Sequence, residues 1–340
     1  MGRSVVGEGR LGATSENEMP IDLERLRRQR RYENRVAGIF EEFLEHRLGP
    51  GRALALLSAP LADAAPLGWV ISPGPDHGNL RRLETLLAGK LAASGFPTLR
   101  IRPDLHPVNG PVCEIDLTTR LAEAEEAVSV LTEASGVRSV GLVGALSGGM
   151  VAAMVADRLG QSELALIEPV SRGKRYMRET IRRQAVADLM ASGDGAANGR
   201  TAESEAPGSA RGPLEELAAA GETWVRGLRL TSTEYERIAA VDLVRDMRAF
   251  SGRSLLIGIS PSGSVSTELD KLRAHLEALG GAVTFRILQD PLPAPFGEYP
   301  FRNAGPVRID TRLELDQRLA RLTADWAGGS PAAEPNEDAA

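Results

Sequence analysis

From residue 52 onward, short runs of large apolar and β-branched residues alternate with helical stretches, and this alternation limits the possible folds more than any other feature of the chain. ALALLSAPL and GWVISPG read as early strands. The helix LRRLETLLAGKLAASG, the strand FPTLRIRP, the helix LTTRLAEAEEAVSVLTEASG, the strand VRSVGLVGA, a further helix and the strand SELALIEPV follow. Strands joined through helices of this length are crossover units, so the expected fold is α/β, a mostly parallel sheet with helices on both faces.

The alternation breaks after residue 171. KRYMRETIRRQAVADLM reads as an amphipathic helix, and ASGDGAANGRTAESEAPGSARGP has neither apolar periodicity nor regular turns. Strand and helix resume at RSLLIGISPSG, continue through STELDKLRAHLEALGG and AVTFRIL, and end in DTRLELDQRLARLTADW. The expected organisation is a core of residues 20–171 and 249–328, with an insertion over 172–248 placed as a helical cap and a flexible segment over 191–213. Residues 1–19 and 329–340 are low in periodicity and read as disordered ends. Residues 21–49 read as a helix carrying Arg25, Arg27, Arg28, Arg30, Arg31 and Arg35, interspersed with Glu24, Glu33 and Glu41 as on a solvated face.

Bulk properties exclude several classes. The formal net charge of -6 argues against a dedicated nucleic-acid binder. Cys113 is the only cysteine, which excludes an intramolecular disulfide and a cysteine-cluster zinc site and fits a reducing, cytoplasmic compartment. No apolar run approaches the roughly 18 residues of a membrane span. The N-terminus lacks a signal-peptide core, and Val6 stands where a myristoylation motif needs Ser or Thr. The four scattered histidines offer no ligand pair for a metal, and GALSGG has neither a P-loop ending nor dinucleotide-binding spacing. No cofactor or metal is expected.

The chemistry-bearing stretch is VGLVGALSGGMVAAMVADRLG, a strand, a tight turn and a helix. Ser147 between Ala145 and Gly149 fits a small-x-Ser-x-small nucleophile elbow, in which the turn strains the serine backbone and the flanking positions must be small. The N–H of Gly148 would then face a developing oxyanion.

On these residues the chain resembles the α/β-hydrolase superfamily, with Ala145 in place of the usual first glycine. A longer resemblance, to hydrolase-like proteins associated with exosortase systems, rests on GNLRRLETLLAGKLAASGFPTLRIRP, IEPVSRGKRYMRETIRRQ, VRGLRLTSTEYERIAAVDL and the Pro-Phe of PAPFGEYPF, spanning about residues 66–327. The resemblance implies an acid and then a histidine after the late strands. Neither is where the resemblance puts it: SPSGSVSTE offers Ser260, Ser262 and Ser264 but no early carboxylate, and QDPLPAPFGEYP offers Asp290 but no histidine. His275, the one histidine downstream of Ser147, lies inside a helix between Leu272 and Leu276 and reads as structural.

A base would therefore come from upstream. His77 and His106 both follow strands at the edge where such folds bind ligands, with His77 favoured. Glu168 at the end of SELALIEP is a candidate orienting acid, against the plainer reading of an ion pair with Arg172, Lys174 or Arg175; Asp76 and Asp290 are further possibilities. A second oxyanion donor would come from the loop Ser72-Pro73-Gly74-Pro75-Asp76. Pro75 has no N–H, so Gly74 or Asp76 would have to turn inward.

Two readings stand. In the first, Ser147 attacks an ester, thioester or amide of a small acyl substrate or carrier beneath the cap, and Arg172, Lys174, Arg175 and Arg178 receive an anionic group. In the second, the fold has lost catalysis and serves as a binding or scaffolding partner.

Overall fold

The computed structural model describes residues 30–50, 53–74, 80–103, 114–197, 212–290 and 307–329. The described residues from Arg31 onward belong to one compact unit. Among the described residues the strands are β1 (Arg31–Asn34), β2 (Ile39–Leu48), β3 (Ala53–Pro60), β4 (Leu67–Ile71), β5 (Thr98–Arg102), β6 (Ser139–Ala145), β7 (Glu163–Ile167), β8 (Glu222–Val225), β9 (Leu228–Thr231), β10 (Arg253–Ser260) and β11 (Ala282–Gln289). The helices are α1 (Arg81–Ala93), α2 (Leu117–Ser135), α3 (Ser147–Leu159), α4 (Gly173–Ala197), α5 (Pro213–Ala220), α6 (Ser232–Ala240), α7 (Leu243–Asp246), α8 (Thr267–Ala278) and α9 (Val307–Ala327).

Nine strands form one sheet in the order β1-β2-β3-β5-β4-β6-β7-β10-β11. Pairing is parallel from β5 through β11, while β1, β2 and β3 form an antiparallel end. The central strands are continuous apolar runs because both of their faces are covered. Leu142, Leu164 and Leu256 point into the layer of α2, α3 and α8, whereas their neighbours Val143, Ala165 and Leu255 point into the layer of α1 and α9. Trp69 anchors the second layer against Trp326, with ring centroids 5.8 Å apart. This is the mostly parallel, helix-flanked sheet expected from the alternation of strands and helices.

The expectation of a helix over 21–49 is wrong where the structure describes that stretch. Residues 31–48 form the β1–β2 hairpin, and residues 21–29 lie outside the described residues. Arginine, glutamate and leucine carry good helix propensity, but pairing overrides a weak local preference. β2 runs antiparallel to β3 and buries Ile39 and Leu48. The Glu41 carboxylate of β2 accepts a hydrogen bond from the Arg100 guanidinium of β5 at 2.6 Å. The turn was present in the sequence: Asn34 Oδ1 accepts the Ala37 N–H at 3.1 Å, and Gly38 takes φ +67°, which a side chain would strain.

Between the paired strands β7 and β10 the chain leaves the sheet and forms α4, α5, the β8–β9 hairpin, α6 and α7. The hairpin turns at Arg226 and Gly227, both at positive φ. Arg229 O accepts the N–H of Ile115, and Glu234 accepts that of Leu117, so this segment grips the start of α2. α4 runs to Ala197 and so includes the first residues of the 191–213 segment; residues 198–211 lie outside the described residues.

Candidate functional site at the turn after β6

β4, β6, β7 and β10 end on one edge of the sheet. Their last rungs pair Ile71 with Val143, Ala145 with Ile167, and Ile167 with Ile257. Ser72, Leu146, Ser147 and Glu168 follow directly from these strand ends.

The turn is a strand-to-helix elbow, but its apex is Leu146. Leu146 has φ 50° and ψ -122°, and Ser147 is absent from the residues with positive φ. The close contacts give the same frame. A Cβ at Gly144 would collide with the Gly148 carbonyl and lie 2.7 Å from Gly149 N, and a Cβ at Gly148 would collide with Ser72 O. The two positions that must be small are therefore 144 and 148, and the residue midway between them is Leu146. The expectation that the elbow strains Ser147, flanked by Ala145 and Gly149, is corrected by one position: the pattern is Gly144-Ala145-Leu146-Ser147-Gly148.

Backbone bonds pin the apex. Leu146 N donates to Ile167 O at 3.0 Å, and Leu146 O accepts from Gly149 N and from Val170 N, each at 3.0 Å. The Leu146 side chain is partly buried against the layer containing Trp69 and Ile71. Ser147 opens α3 and is only 1% exposed. Gly74 lies over it so closely that a Cβ there would strike Ser147 Oγ and come within 2.8 Å of Gly148 N. Three candidates, Ser147, Gly148 and Gly74, are thus together, with Ser147 enclosed beneath Gly74.

The frame also moves the expected oxyanion donor. In such an elbow the donor is the N–H of the residue after the apex, which is Ser147 rather than Gly148. Ser72 N donates to Val143 O at 2.9 Å, while Ser72 Oγ is buried with no hydrogen-bond partner among the described residues.

Glu168 is a second non-glycine residue at positive φ, 44°. Its N–H donates to Ile257 O and its Oε2 accepts from Ile259 N, both at 2.7 Å, so the residue carries the β7–β10 pairing past the last rung. Burial pushes its carboxyl above the ordinary carboxylate range, and the Ile259 N–H opposes that in part. Neither of the ion pairs made by Arg172 and Arg175 uses Glu168: Arg172 lies 3.7 Å from Asp242, and Arg175 lies 3.0 Å from Glu268.

His77, His106, Pro75 and Asp76 lie outside the described residues. The two described histidines are committed elsewhere: His275 Nε2 meets Met247 O at 2.9 Å, and His46 Nε2 meets Glu126 at 2.6 Å. Asp290 is buried at the end of β11, its N–H 3.3 Å from Ser260 O. Ser260, Ser262 and Ser264 bond to one another. Among the described residues no cluster of His, Cys, Asp and Glu could hold a metal ion, and no helix is long and apolar enough to cross a membrane.

No protein-family model matches the sequence, and no curated protein does. Among solved structures the chain is similar to an esterase from Pyrobaculum calidifontis, at 15% identity over 86% of each chain with a TM-score of 0.50. It is also similar to carboxyl esterase 2 from Tuber melanosporum, at 14% identity over 84% of this chain and 88% of that one with a TM-score of 0.45. The strand order, the elbow after β6 and the first of these similarities establish the α/β-hydrolase fold.

Proposed function

We propose that this chain is an α/β-hydrolase-fold protein that binds a small acyl or carbonyl ligand, or a carrier bearing one, and does not attack it through serine. Leu146 at the elbow apex carries the reading, because an aliphatic side chain there has no lone pair to offer a carbonyl carbon. What the elbow keeps is the start of α3, where first-turn amides have no acceptor within the helix. Such amides suit the polarised oxygen of a carbonyl or carboxylate. The segment between β7 and β10 would cover this edge as a cap over about 172–248. A resemblance to exosortase-associated hydrolase-like proteins, read from the sequence alone, would fit a partner role beside a biosynthetic enzyme.

A second reading, acyl hydrolysis by Ser147, is favoured by the closeness of Ser147 Oγ, Gly148 N and Gly74. It matches the ester chemistry named for the structural neighbours. In that reading Gly74 moves aside, His77 or His106 takes the proton from Ser147, and Glu168 orients the imidazole. Intact mass after incubation with a fluorophosphonate probe separates the two. The binding reading expects no adduct on the folded wild-type protein. An adduct that disappears in Ser147→Ala would overturn it in favour of the serine mechanism.

A further inference from the structure

A cleft of about 590 Å³ opens between the start of α4, the end of α6 and the first turn of α8. α4 and α8, which line it, follow β7 and β10 in the chain, beyond the strand ends where open α/β sheets bind ligands. Arg172, Lys174, Arg175, Arg178, Arg182 and Arg245 line it, against three carboxylates, Glu179, Asp242 and Glu268. This is local positive charge on a chain whose net charge is -6.

All three carboxylates are already engaged. Glu268 pairs with Arg175 at 3.0 Å, and Glu179 is shared by Arg182 at 2.8 Å and Arg183 at 3.0 Å. Asp242 lies 3.7 Å from Arg172. Hydrogen bonds from Arg182 and Arg183 hold Glu179 below the ordinary carboxylate range, so it stays ionised and committed. Lys174 and Arg178 have no ion-pair partner among the described residues. They stand one turn apart on α4, and Arg182 continues the same ridge. Like charges four residues apart disfavour a helix unless an anion lies between them.

We infer that this cleft binds a small molecule carrying a diphosphate or a pair of closely spaced phosphates, held between Lys174 and Arg178. Four residues of helix set their Cα atoms about 6 Å apart along the axis, which lets the two side chains flank two adjacent phosphate groups. The planar fork of Arg178 matches phosphate oxygens in pairs, and the positive end of α4 adds to the attraction. The volume suits a small ligand. A nucleic acid would need a protein surface of about 1,000 Å² or more, mostly positive, which this concave patch does not supply.

The test is calorimetric titration of the full chain with inorganic pyrophosphate at low salt, with citrate as a carboxylate control. Saturable 1:1 binding is expected, weakened about tenfold or more in Lys174→Gln/Arg178→Gln. Lys90→Gln, which removes a charge from α1, away from the cleft, should leave affinity within about twofold. No saturable binding, undiminished binding in the double variant, or equal weakening in Lys90→Gln would overturn the site. Citrate binding as tightly as pyrophosphate would overturn its assignment to phosphates.

Discussion

The elbow after β6 and the cleft beyond β7 share one edge of the sheet and are built by opposite means. The elbow is backbone against backbone: Gly144, Gly148 and Gly74 lie so close to other chain segments that a methyl group has no room. The cleft is lined by long charged side chains; that of Arg175 is 73% exposed and that of Arg182 is 72% exposed. The shape of the elbow is thus a requirement of the fold and survives with leucine at its apex. Charge gathered in the cleft meets no such requirement, so it speaks more directly of a ligand.

The contrast is broken most severely at Gly144. A Cβ there meets the Gly148 carbonyl, which is main chain and cannot rotate away, so Gly144→Ala should cost about 3 kcal/mol or more, or prevent folding. The counterpart, Lys174→Gln/Arg178→Gln, should change stability by less than about 0.5 kcal/mol. Urea denaturation of both variants checks the pair. Equal losses would show that the cleft is part of the framework.

A smaller effect is expected where the two regions are tied together. Asp157, near the end of α3, accepts the N–H groups of Arg248, Ala249 and Phe250 at 3.0, 2.8 and 2.8 Å, fixing the chain as it returns from the inserted segment to β10. Asp157→Ala leaves three donors without their acceptor and should cost about 1–3 kcal/mol, whereas Asp157→Asn keeps an oxygen and should cost less. Hydrogen exchange at residues 248–250 reads the same event locally. Unchanged protection there in Asp157→Ala would mean that this carboxylate does not hold the junction.

The sheet was legible because β6, β7 and β10 carry the unbroken apolar runs VGLVGA, LALI and LLIGI, as strands covered on both faces do. The hairpin at residues 31–48 was not, because EEFLEHRL suits a helix until β3 is beside it; Asn34 and Gly38 were the available signal. At the elbow the serine drew the frame one residue too far. GALSG carries two glycines four apart, and their spacing, rather than the hydroxyl, marks the apex. In the cleft, Arg172, Lys174, Arg175 and Arg178 were visible as a run. Arg245 and Glu268 join them only through folding, because α7 and α8 are distant in sequence.

The smallest expected effect lies at Glu168, and pH exposes it. Burial raises the folded-state pKa of its carboxyl above the unfolded value. Below the unfolded carboxylate range, about 4.3, the group is protonated in both states and its contribution to stability is fully present. As pH rises through the folded pKa, the buried group must ionise and that contribution is lost. Glu168→Gln retains an oxygen for the Ile259 N–H and carries no charge. The variant should match the wild type near pH 4 and become the more stable of the two towards pH 8, as followed by urea midpoints across that range. A carboxylate that instead held the imidazolium of His77 or His106 would have a depressed pKa and would stabilise the fold as it ionised. A wild type that outlasts Glu168→Gln at pH 8 would therefore place a cation against Glu168, and would favour the catalytic reading of this edge over the binding one.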